Sequence, residues 1–426
     1  MSINLGDIFT GNDTGDDYEI VANIGGGGFG DTYLVKRLSD GTEFVAKVPN
    51  KDDPRVIQCL QTEFNVLITL EKKGVPYVVR AVEMSSFTDS FGKNLIVLIM
   101  HKASGQLLED IIAQGALGEA DTIDILTKCA EGLQGIHDAG FIHRDIKPDN
   151  IFVDDPGGAN NVTIIDFGIA AAKAEKNTHV MVSWLAGTRF YAPPEQFTDN
   201  KVSIGNDIYS LGATAVTMLV GFEPQRQEHQ GPLDLHNYIK GTNAVDEHFR
   251  QVIMKATWNT RQGRFATMQD MLDALGGKIP DESMPRIIAD GKVYLLQGNG
   301  PWDIGRASDL NPNIDIPVNE TSASGKYIGK KHAWIQLGSD GVLKLHDGNR
   351  DNGTPSKNGT KVDHNGKVLD VPQIGFPLGR KFMEIHLGYS LTPPNEKDEH
   401  GNPLLPGPYK TIEFWPPQNT GTILPP

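Results

Sequence analysis

Hydrophobic positions follow one periodicity before about residue 280 and a different one after it. Up to about residue 276, short apolar runs typical of strands alternate with longer segments in which apolar residues recur every three or four positions. From about residue 287, short alternating runs at 293–296, 333–337 and 342–345 are separated by turns rich in Gly and Asn. The pattern predicts an α+β first part followed by an all-β sandwich.

The first part contains predicted strands and helices in a definite order. Strands are predicted at 18–22, 32–35 and 95–100, and two more at 151–153 and 162–165 would form a hairpin. A helix at 57–70 would be followed by a long amphipathic helix from 123 to about 140 and an apolar helix at 206–220. The apolar face of the first helix consists of Ile57, Leu60, Phe64, Leu67 and Ile68.

Changes in composition divide the chain into five segments. We expect an acidic lead-in at 1–17, a large domain at 18–276, a linker at 277–286, a sandwich at 287–390 and a tail at 391–426. The tail is too rich in proline for a helix, so we expect it to be extended and to pack on the sandwich through Phe414 and Trp415.

The net charge of −15 argues against nucleic-acid and anionic-membrane partners. Most of this charge lies early, because residues 1–280 carry 24 Lys+Arg against 37 Asp+Glu, whereas the remainder carries 15 against 17. Only Cys59 and Cys129 are present, so we expect a reducing compartment and place the protein in the cytoplasm. The start is not typical of a signal peptide, and the longest apolar run, 95–100, is too short to span a bilayer.

Carboxylates stand at both ends of the predicted hairpin. The string 143–150 reads H-R-D-I-K-P-D-N before the first strand, and 166–168 reads D-F-G after the second. Phosphoryl transfer needs one carboxylate to orient the attacking hydroxyl and another to hold a metal on the phosphates.

Both strings resemble the catalytic and metal-binding loops of eukaryotic-type protein kinases. The resemblance implies a two-lobed kinase fold at 18–276, with ATP and Mg²⁺ as cofactors and Mn²⁺ as the alternative ion. It assigns Asp145 to the substrate hydroxyl, Lys147 to the transferring phosphoryl group, and Asn150 and Asp166 to the metal. Lys147 is typical of Ser/Thr-specific kinases, which act on protein substrates.

A glycine run between the first two strands resembles the kinase loop that covers the nucleotide phosphates. Thr32 stands where the family usually has Val packing on the base. The predicted nucleotide contacts of this segment are Ile24, Gly25, Gly26, Gly27, Gly28, Phe29, Gly30 and Thr32.

Two further segments resemble nucleotide-binding parts of the family. Phe44 to Lys47 resembles the V-A-I-K strand, so Ala46 and Lys47 are predicted nucleotide contacts, and Glu63 is the predicted carboxylate that positions Lys47. A solvated helix charge is the alternative role for Glu63. In the segment that resembles the interlobe hinge, Ile99 is expected to flank the base, and Met100 and His101 to contact it.

The segment after D-F-G resembles a kinase activation loop. Arg144 commonly grips a phosphorylated residue of this loop in the family, and Thr178 and then Ser183 are the candidates, with inert hydroxyls as the alternative.

The resemblance also predicts two buried contacts that test the fold. It pairs Glu195 with Arg264, and it places Asp207 against the backbone of the catalytic loop, with a simple helix cap as the alternative for Asp207.

Three short strings in the second part resemble the forkhead-associated (FHA) domain, which binds phosphothreonine peptides. They are 304–306, 330–333 and 356–360. The resemblance implies a phosphopeptide pocket or a pocket for the protein's own phosphorylated loop, and assigns His332 a structural role. Gly329 replaces the family's serine, which normally bonds the phosphate, so either Lys330, Lys331 or Lys357 compensates or the pocket has lost its affinity for phosphate. The candidate pocket residues are Arg306, Lys330, Lys357 and Asn358.

Two alternative functions remain open from the sequence. One is an inactive scaffold that acts through the second part, and the other is a small-molecule kinase on a related fold. The segment 188–195 and the helix after it favour a protein substrate over a small molecule. Magnesium-dependent transfer of labelled phosphate from ATP separates the enzyme from the scaffold.

Overall fold

The computed structural model divides the chain into two compact units, 1–278 and 279–426. The described residues are 3–27, 30–50, 53–88, 92–168, 170–172, 190–197, 203–223, 245–278, 285–289, 292–296, 300–306, 314–316, 332–337, 339, 342–351, 355–356, 359–364, 367–371, 375–378, 383–387 and 410–415. Among them, no helix combines the length and apolar character needed to cross a bilayer.

The first unit begins with a six-stranded antiparallel sheet and one long helix. The strands are β1 (Ile8–Thr10), β2 (Asp17–Gly27), β3 (Gly30–Arg37), β4 (Glu43–Val48), β5 (Ala81–Thr88) and β6 (Asn94–His101), in the spatial order β1-β2-β3-β4-β6-β5. The helix α1 (Pro54–Lys72) joins β4 to β5 and extends three residues before and two residues beyond the predicted helix. One face of the sheet forms an apolar cluster that includes Tyr18, Val35, Phe44 and Phe87.

The acidic lead-in is part of this sheet, contrary to the loose segment that its composition predicts. Strand β1 pairs with β2, and Phe9 is buried between the rings of Tyr18 and Phe87. The buried carboxylate of Glu83 accepts hydrogen bonds from the backbone of Asp13 at 2.7 Å and from the hydroxyl of Thr14 at 2.5 Å. Polar composition concealed these long-range partners.

The rest of the first unit is mainly helical. It contains α2 (Leu108–Ala113), α3 (Glu119–Asp138), α4 (Ile204–Val220), α5 (Glu247–Ala256) and α6 (Met268–Leu275). Short strands β7 (Gln106–Leu107), β8 (Phe141–Ile142), β9 (Ile151–Asp154), β10 (Asn161–Ile164) and β11 (Ala171–Ala172) form two small sheets, and short 3₁₀ turns lie at Pro148–Asn150, Pro194–Phe197 and Arg261–Gly263.

Helix α4 is the centre of this helical region. Every residue from Ile204 to Met218 is buried, and buried polar residues such as Asp207 and Ser210 bond to other parts of the fold. Ser203 and Asn206 form a capping box at its start, which satisfies backbone N–H groups that the helix leaves without partners. The predicted helix at 206–220 is confirmed, and its cap begins it two residues earlier.

The second unit is a sandwich of two sheets. The six-stranded sheet has the order β13-β12-β22-β21-β18-β19 and the five-stranded sheet the order β15-β14-β16-β17-β20. Their strands are β12 (Arg286–Ala289), β13 (Lys292–Leu295), β14 (Trp302–Arg306), β15 (Ile314–Ile316), β16 (Ala333–Leu337), β17 (Leu343–Asp347), β18 (Thr360–His364), β19 (Lys367–Asp370), β20 (Phe376–Leu378), β21 (Met383–Leu387) and β22 (Lys410–Trp415). Apolar side chains from both sheets form a single buried core.

The predicted boundary at residue 390 is wrong, because β22 lies inside the six-stranded sheet. It pairs with β12 on one side and with β21 on the other. Phe414 is fully buried and Trp415 nearly so, which confirms that these two side chains pack on the sandwich. Proline density concealed a six-residue strand whose partners are distant in the sequence.

Candidate active site

A cavity of about 360 Å³ lies in the first unit between the six-stranded sheet and the loops that follow β8 and β10. Glycines at one edge, a basic residue on β4 and three acidic or amide side chains from the loops surround it. Its described lining consists of Ile24, Gly25, Gly26, Gly30, Thr32, Val45, Lys47, Glu63, Val79, Met100, His101, Lys102, Ala103, Gly105, Leu107, Asp149, Asn150, Phe152, Ile165 and Asp166.

Lys47 is the ionic centre of this cavity. Its Nζ lies 2.8 Å from Glu63 Oε2 and 2.9 Å from Asp166 Oδ1, so one ammonium group joins β4, α1 and the loop after β10. The other oxygen of Glu63 accepts the backbone N–H of Phe167 at 3.1 Å. The predicted partner of Lys47 is therefore in place, and Glu63 is a buried positioning group rather than a solvated helix charge.

Lys47 and Asp166 stabilise each other's charge, whereas burial raises the pKa of Glu63, against the ammonium of Lys47. Burial alone lowers the pKa of Lys47, but the carboxylates of Asp166 and Glu63 outweigh burial and hold the pKa of Lys47 above its usual value. Burial opposes ionisation of Asp166, yet Lys47 and the backbone N–H of Gly168 lower the pKa of Asp166 to about 2. Asp166 is therefore an anion throughout the neutral range, as a metal ligand must be.

Asp145 and Asn150 lie at the two ends of the catalytic loop and bond to each other. The Asn150 side-chain nitrogen donates to the backbone oxygen of Asp145 at 2.8 Å and to Asp145 Oδ2 at 3.0 Å. Lys147 Nζ lies 3.4 Å from the same Oδ2. Since the nitrogen of Asn150 is committed to Asp145, its side-chain oxygen is the atom that it can offer to a metal.

The second oxygen of Asp145 is unsatisfied. Among the described residues, Asp145 Oδ1 is buried and has no hydrogen-bond partner. Burial raises the pKa of Asp145, against the ammonium of Lys147, and the nearby anion of Asp166 raises it further. A buried carboxylate oxygen without a donor is positioned to accept a hydrogen bond from an entering hydroxyl.

Asp207 fixes the backbone of the catalytic loop from the start of α4. Its carboxylate accepts the N–H of His143 at 2.9 Å and the N–H of Arg144 at 2.7 Å. His137 on α3 donates a third hydrogen bond at 2.8 Å, which the sequence did not indicate. Burial opposes ionisation of Asp207, but the hydrogen bond from His137 and the other donors keep its pKa below the usual value. The predicted contact to the loop is confirmed, and the role extends beyond a helix cap.

Two residues of the loops adopt left-handed backbone angles. Arg144 has a φ of 75° and Asp166 a φ of 62°, which side chains other than glycine rarely adopt. The hydrogen bonds of Asp207 and the ion pair of Lys47 hold these conformations. Backbone strain that neighbouring contacts maintain is typical of functional sites.

Glu195 and Arg264 form the buried pair that the family resemblance predicts. The two guanidinium nitrogens lie 2.5 and 2.8 Å from the two carboxylate oxygens, which is a bidentate contact. Arg264 also donates to the backbone oxygens of Trp258 and Gly205 and lies over the ring of Tyr209. This contact joins the short 3₁₀ turn at Pro194–Phe197 to α4 and to the loop before α6.

Two predicted nucleotide contacts are wrong. Ala46 and Ile99 pair with each other across β4 and β6, and both belong to the apolar cluster on the face away from the cavity. Their neighbours Val45 and Met100 pair in the next row and line the cavity. Strand alternation places Val45 and Lys47 on one face, and this signal could have corrected the prediction.

Other lining residues gave no clear signal in the sequence. Phe152 and Ile165 lie on or beside the hairpin that carries the catalytic groups, and Val79 lies just before β5. Gly105 has a φ of 88°, and a Cβ there would collide with the backbone oxygen of Val153. Only glycine therefore fits this position at the rim of the cavity.

Several predicted site residues lie outside the described residues. They are Gly28, Phe29, Thr178, Ser183, Lys330, Lys357 and Asn358. Gly27 is the last residue of β2. Arg306 is the last residue of β14, and its side chain lies outside the part of the chain that the structure describes.

Described residues from the three strings of the second unit meet at His332. This buried residue donates its backbone N–H to the oxygen of Ile304 at 2.7 Å, and its ring Nε2 lies 3.1 Å from the backbone oxygen of Gly359. Burial lowers the pKa of His332, so the ring is neutral at pH 7. His332 thus bridges the first and third strings, in agreement with a structural role.

Asp347 organises the loop that contains the third string. Its carboxylate accepts the hydroxyl of Ser356 at 2.5 Å and the hydroxyl of Thr360 at 2.7 Å. The backbone N–H of Ser356 donates to its other oxygen at 3.1 Å. The loop is thereby anchored at the residues on either side of 357–358.

Comparisons with known proteins agree with the fold of the first unit. The protein kinase domain family matches residues 18–281, well over half of the chain. Serine/threonine-protein kinase pkn2 of Myxococcus xanthus is 31% identical over 222 residues, which cover 51% of this chain and 25% of that protein. Serine/threonine-protein kinase PknB of Mycobacterium leprae is 26% identical over 343 residues, which cover 76% of this chain and 52% of that protein.

A solved structure of vaccinia related kinase 3 has the same fold. It superposes with a TM-score of 0.50 at 15% identity, over 65% of this chain and 91% of that one. The chain spans between a quarter and about half of the length of the curated relatives described above. From the extent of the family match, the chain belongs to the protein kinase domain family.

Proposed function

We propose that this chain transfers the γ-phosphoryl group of ATP to serine and threonine hydroxyls of proteins. The observation that carries the proposal is the unsatisfied buried oxygen of Asp145, whose carboxylate lies close enough to Asp166 for that anion to raise the pKa of Asp145. The matched relatives named above are serine/threonine-protein kinases, which supports the substrate class.

The residues of the cavity fit a magnesium-bound nucleotide. Asp166 is ionised, Asn150 can offer an amide oxygen, and Lys47 supplies a cation for the α- and β-phosphates. When bound there, Mg²⁺ or Mn²⁺ neutralises phosphate charge. Apolar Val45, and Met100 opposite it, provide surfaces that suit a purine ring.

The chain's own residues carry out the transfer step. Asp145 orients the substrate hydroxyl and accepts its proton as the oxygen attacks the γ-phosphorus in line with the leaving ADP oxygen. Lys147, beside Asp145, stabilises negative charge on the moving phosphoryl group. Asp207 accepts hydrogen bonds from the backbone of this loop and so keeps Asp145 and Lys147 in a fixed position relative to the reacting atoms.

A direct assay tests this function. Purified chain with Mg²⁺ and labelled ATP should transfer phosphate to a generic protein substrate or to itself, and chelation of the metal should stop the transfer. Phosphoamino-acid analysis should give phosphoserine and phosphothreonine without phosphotyrosine. No transfer above the level of the Asp145→Asn variant would favour the inactive-scaffold alternative.

Activation by phosphorylation of the loop after D-F-G is part of the proposal. Arg144 is a buried residue of the catalytic loop, and its guanidinium would form a charge-assisted bond to a phosphate. Thr178 is the first candidate acceptor and Ser183 the second. Phosphatase treatment should reduce activity, and Thr178→Ala with Ser183→Ala should reproduce the reduction. Full activity in both samples would contradict this regulation.

For the second unit we propose binding of phosphothreonine peptides, including the protein's own phosphorylated loop. Its two-sheet sandwich and the meeting of the three strings around His332 support this role. Arg306, Lys330, Lys357 and Asn358 are the proposed pocket residues. We also propose a cytoplasmic location, on the basis of the low cysteine content.

A further inference from the structure

The outer face of the six-stranded sheet in the second unit carries a group of polar side chains. On β21, Met383, Ile385 and Leu387 point into the core, so Glu384 and His386 point to the opposite face. On β18, Val362 is in the core and Asp363 is therefore on the same outer face as Glu384.

The strand register brings these groups together. Asp363 lies directly opposite Glu384 in the antiparallel pair β18–β21, and His386 follows two residues later on β21. Glu384 is also directly opposite Glu413 on β22. Three carboxylates therefore occupy one row across neighbouring strands, although like charges in that arrangement repel each other.

The distances in this group suit a bound ion. One carboxylate oxygen each of Asp363 and Glu384 and one ring nitrogen of His386 lie within 4.8 Å of one another. His386 is only 6% exposed, whereas both carboxylates are partly open to solvent. The imidazole is therefore the buried side of the group, and the two carboxylates are the side that solvent can reach.

The adjacent cation on this face has a carboxylate partner on another strand. Lys361 is opposite His386 in the register, but its ammonium lies 2.8 Å from the carboxylate of Asp370 on β19. On the other side, Glu413 accepts a hydrogen bond from the indole N–H of Trp415 at 3.0 Å, which is a neutral donor. The arrangement concentrates negative charge beside an imidazole.

We propose that Asp363, Glu384 and His386 bind a divalent transition-metal ion of the zinc class. Two carboxylate oxygens and one imidazole nitrogen are ligands that Zn²⁺ accepts, and three protein ligands with a water molecule make a complete tetrahedral site. A bound ion converts repulsion within the carboxylate row into attraction and joins β18 to β21.

The consequence concerns the loop before β18. Strand β18 begins at Thr360, directly after the loop that Asp347 anchors. An ion that fixes β18 against β21 therefore also fixes the strand from which that loop departs. The inference does not depend on the kinase reaction, because it concerns only residues of the second unit.

Metal binding is best measured on the full chain carrying Asp166→Asn, which removes the carboxylate assigned to the nucleotide metal. After treatment with a chelator, equilibrium dialysis against Zn²⁺ should give about one ion per chain. Adding Asp363→Asn or His386→Asn should weaken Zn²⁺ binding by more than about tenfold. Asp351→Asn is the matched control, because it removes an exposed acid that follows β17 of the other sheet, leaves the Lys361–Asp370 pair intact and should leave the affinity unchanged.

Co²⁺ gives a readout that does not depend on the folding of variants. Its visible absorption should intensify when the chain with Asp166→Asn binds it, and Zn²⁺ should displace it. No bound Zn²⁺ and no change in the Co²⁺ spectrum would overturn the proposal. Equal affinity in the ligand variants and the Asp351→Asn control would also overturn it, provided that circular dichroism shows all variants folded.

Discussion

The two units of this chain anchor their functional loops with different chemistry. In the first unit, ionised groups anchor the functional loops: Lys47 joins two carboxylates, and Asp207 accepts hydrogen bonds from the loop backbone. In the second unit, a neutral buried imidazole, His332, connects the strings, with Asp347 holding hydroxyl groups. Removal of one charged side chain should therefore weaken the anchoring in the first unit, whereas protonation of His332 should weaken it in the second unit.

The reason lies in the cost of burying charge. A buried ion is stable only when partners and hydrogen bonds compensate for lost hydration, so removal of one partner leaves an expensive group behind. A neutral imidazole avoids that cost until a proton binds.

The largest effect should come from the two carboxylates of the active site. Asp145→Asn and Asp166→Asn change almost no volume but remove the groups assigned to the hydroxyl and to the metal. Transfer should fall by more than about a hundredfold, since general-base and metal contributions are each of about that size or larger. An assay of phosphate transfer by the purified variants measures the loss. Asp40→Asn is the control, because Asp40 lies outside the cavity in an exposed ion pair with Arg37. If either active-site variant kept activity near the parental level, the role assigned to that carboxylate would be wrong.

Breaking the Glu195–Arg264 pair should cost stability. Arg264→Met leaves Glu195 without its bidentate partner and should lower the free energy of unfolding of the first unit by about 3–5 kcal/mol. The double variant Arg264→Met with Glu195→Gln should recover part of the loss, because no unpaired charge remains. Thermal denaturation of the full chain measures both. Equal losses in the two variants would show that packing of the arginine, rather than charge, dominates.

Recognition of phosphate in the second unit should have a smaller effect. The full chain with Asp145→Asn, which cannot phosphorylate the ligand, should bind a phosphothreonine peptide more tightly than the matched threonine peptide. Arg306→Ala should remove most of that preference, about 1.5–3 kcal/mol for a charged hydrogen bond, and Lys361→Ala is the control. Lys361 is paired with Asp370, which is mostly exposed, so its loss leaves no buried charge behind. Equal binding of the two peptides would mean that the pocket does not recognise phosphate.

The smallest effect should be a pH dependence of the second unit. Burial lowers the pKa of His332 below its reference value of 6.5, so the unfolded chain binds a proton more readily than the folded one. Stability from the neutral ring is complete above about pH 6.5 and decreases as the pH falls below it. Unfolding of the second unit, followed from pH 8 to about pH 5, measures the slope, which His332→Gln should reduce. An unchanged slope in that variant would assign the effect to other groups.

The sequence determined the catalytic groups and most elements, because these depend on residue type and local periodicity. Lys47, Glu63, Asp145, Asn150 and Asp166 come together in space as their motifs predict. The helix at 206–220 and the strand at 333–337 follow from hydrophobic patterns that need no distant partner to be read.

Only the tertiary structure decided features that depend on contacts between distant segments. Strand β1 and strand β22 are irregular by composition, yet each gains its backbone partners from strands that the local pattern does not identify. The same holds for His137 against Asp207, and for the row of Asp363, Glu384 and Glu413. A residue's own type sets which bonds it can make, but register and burial, which are properties of the whole fold, set which bonds it does make.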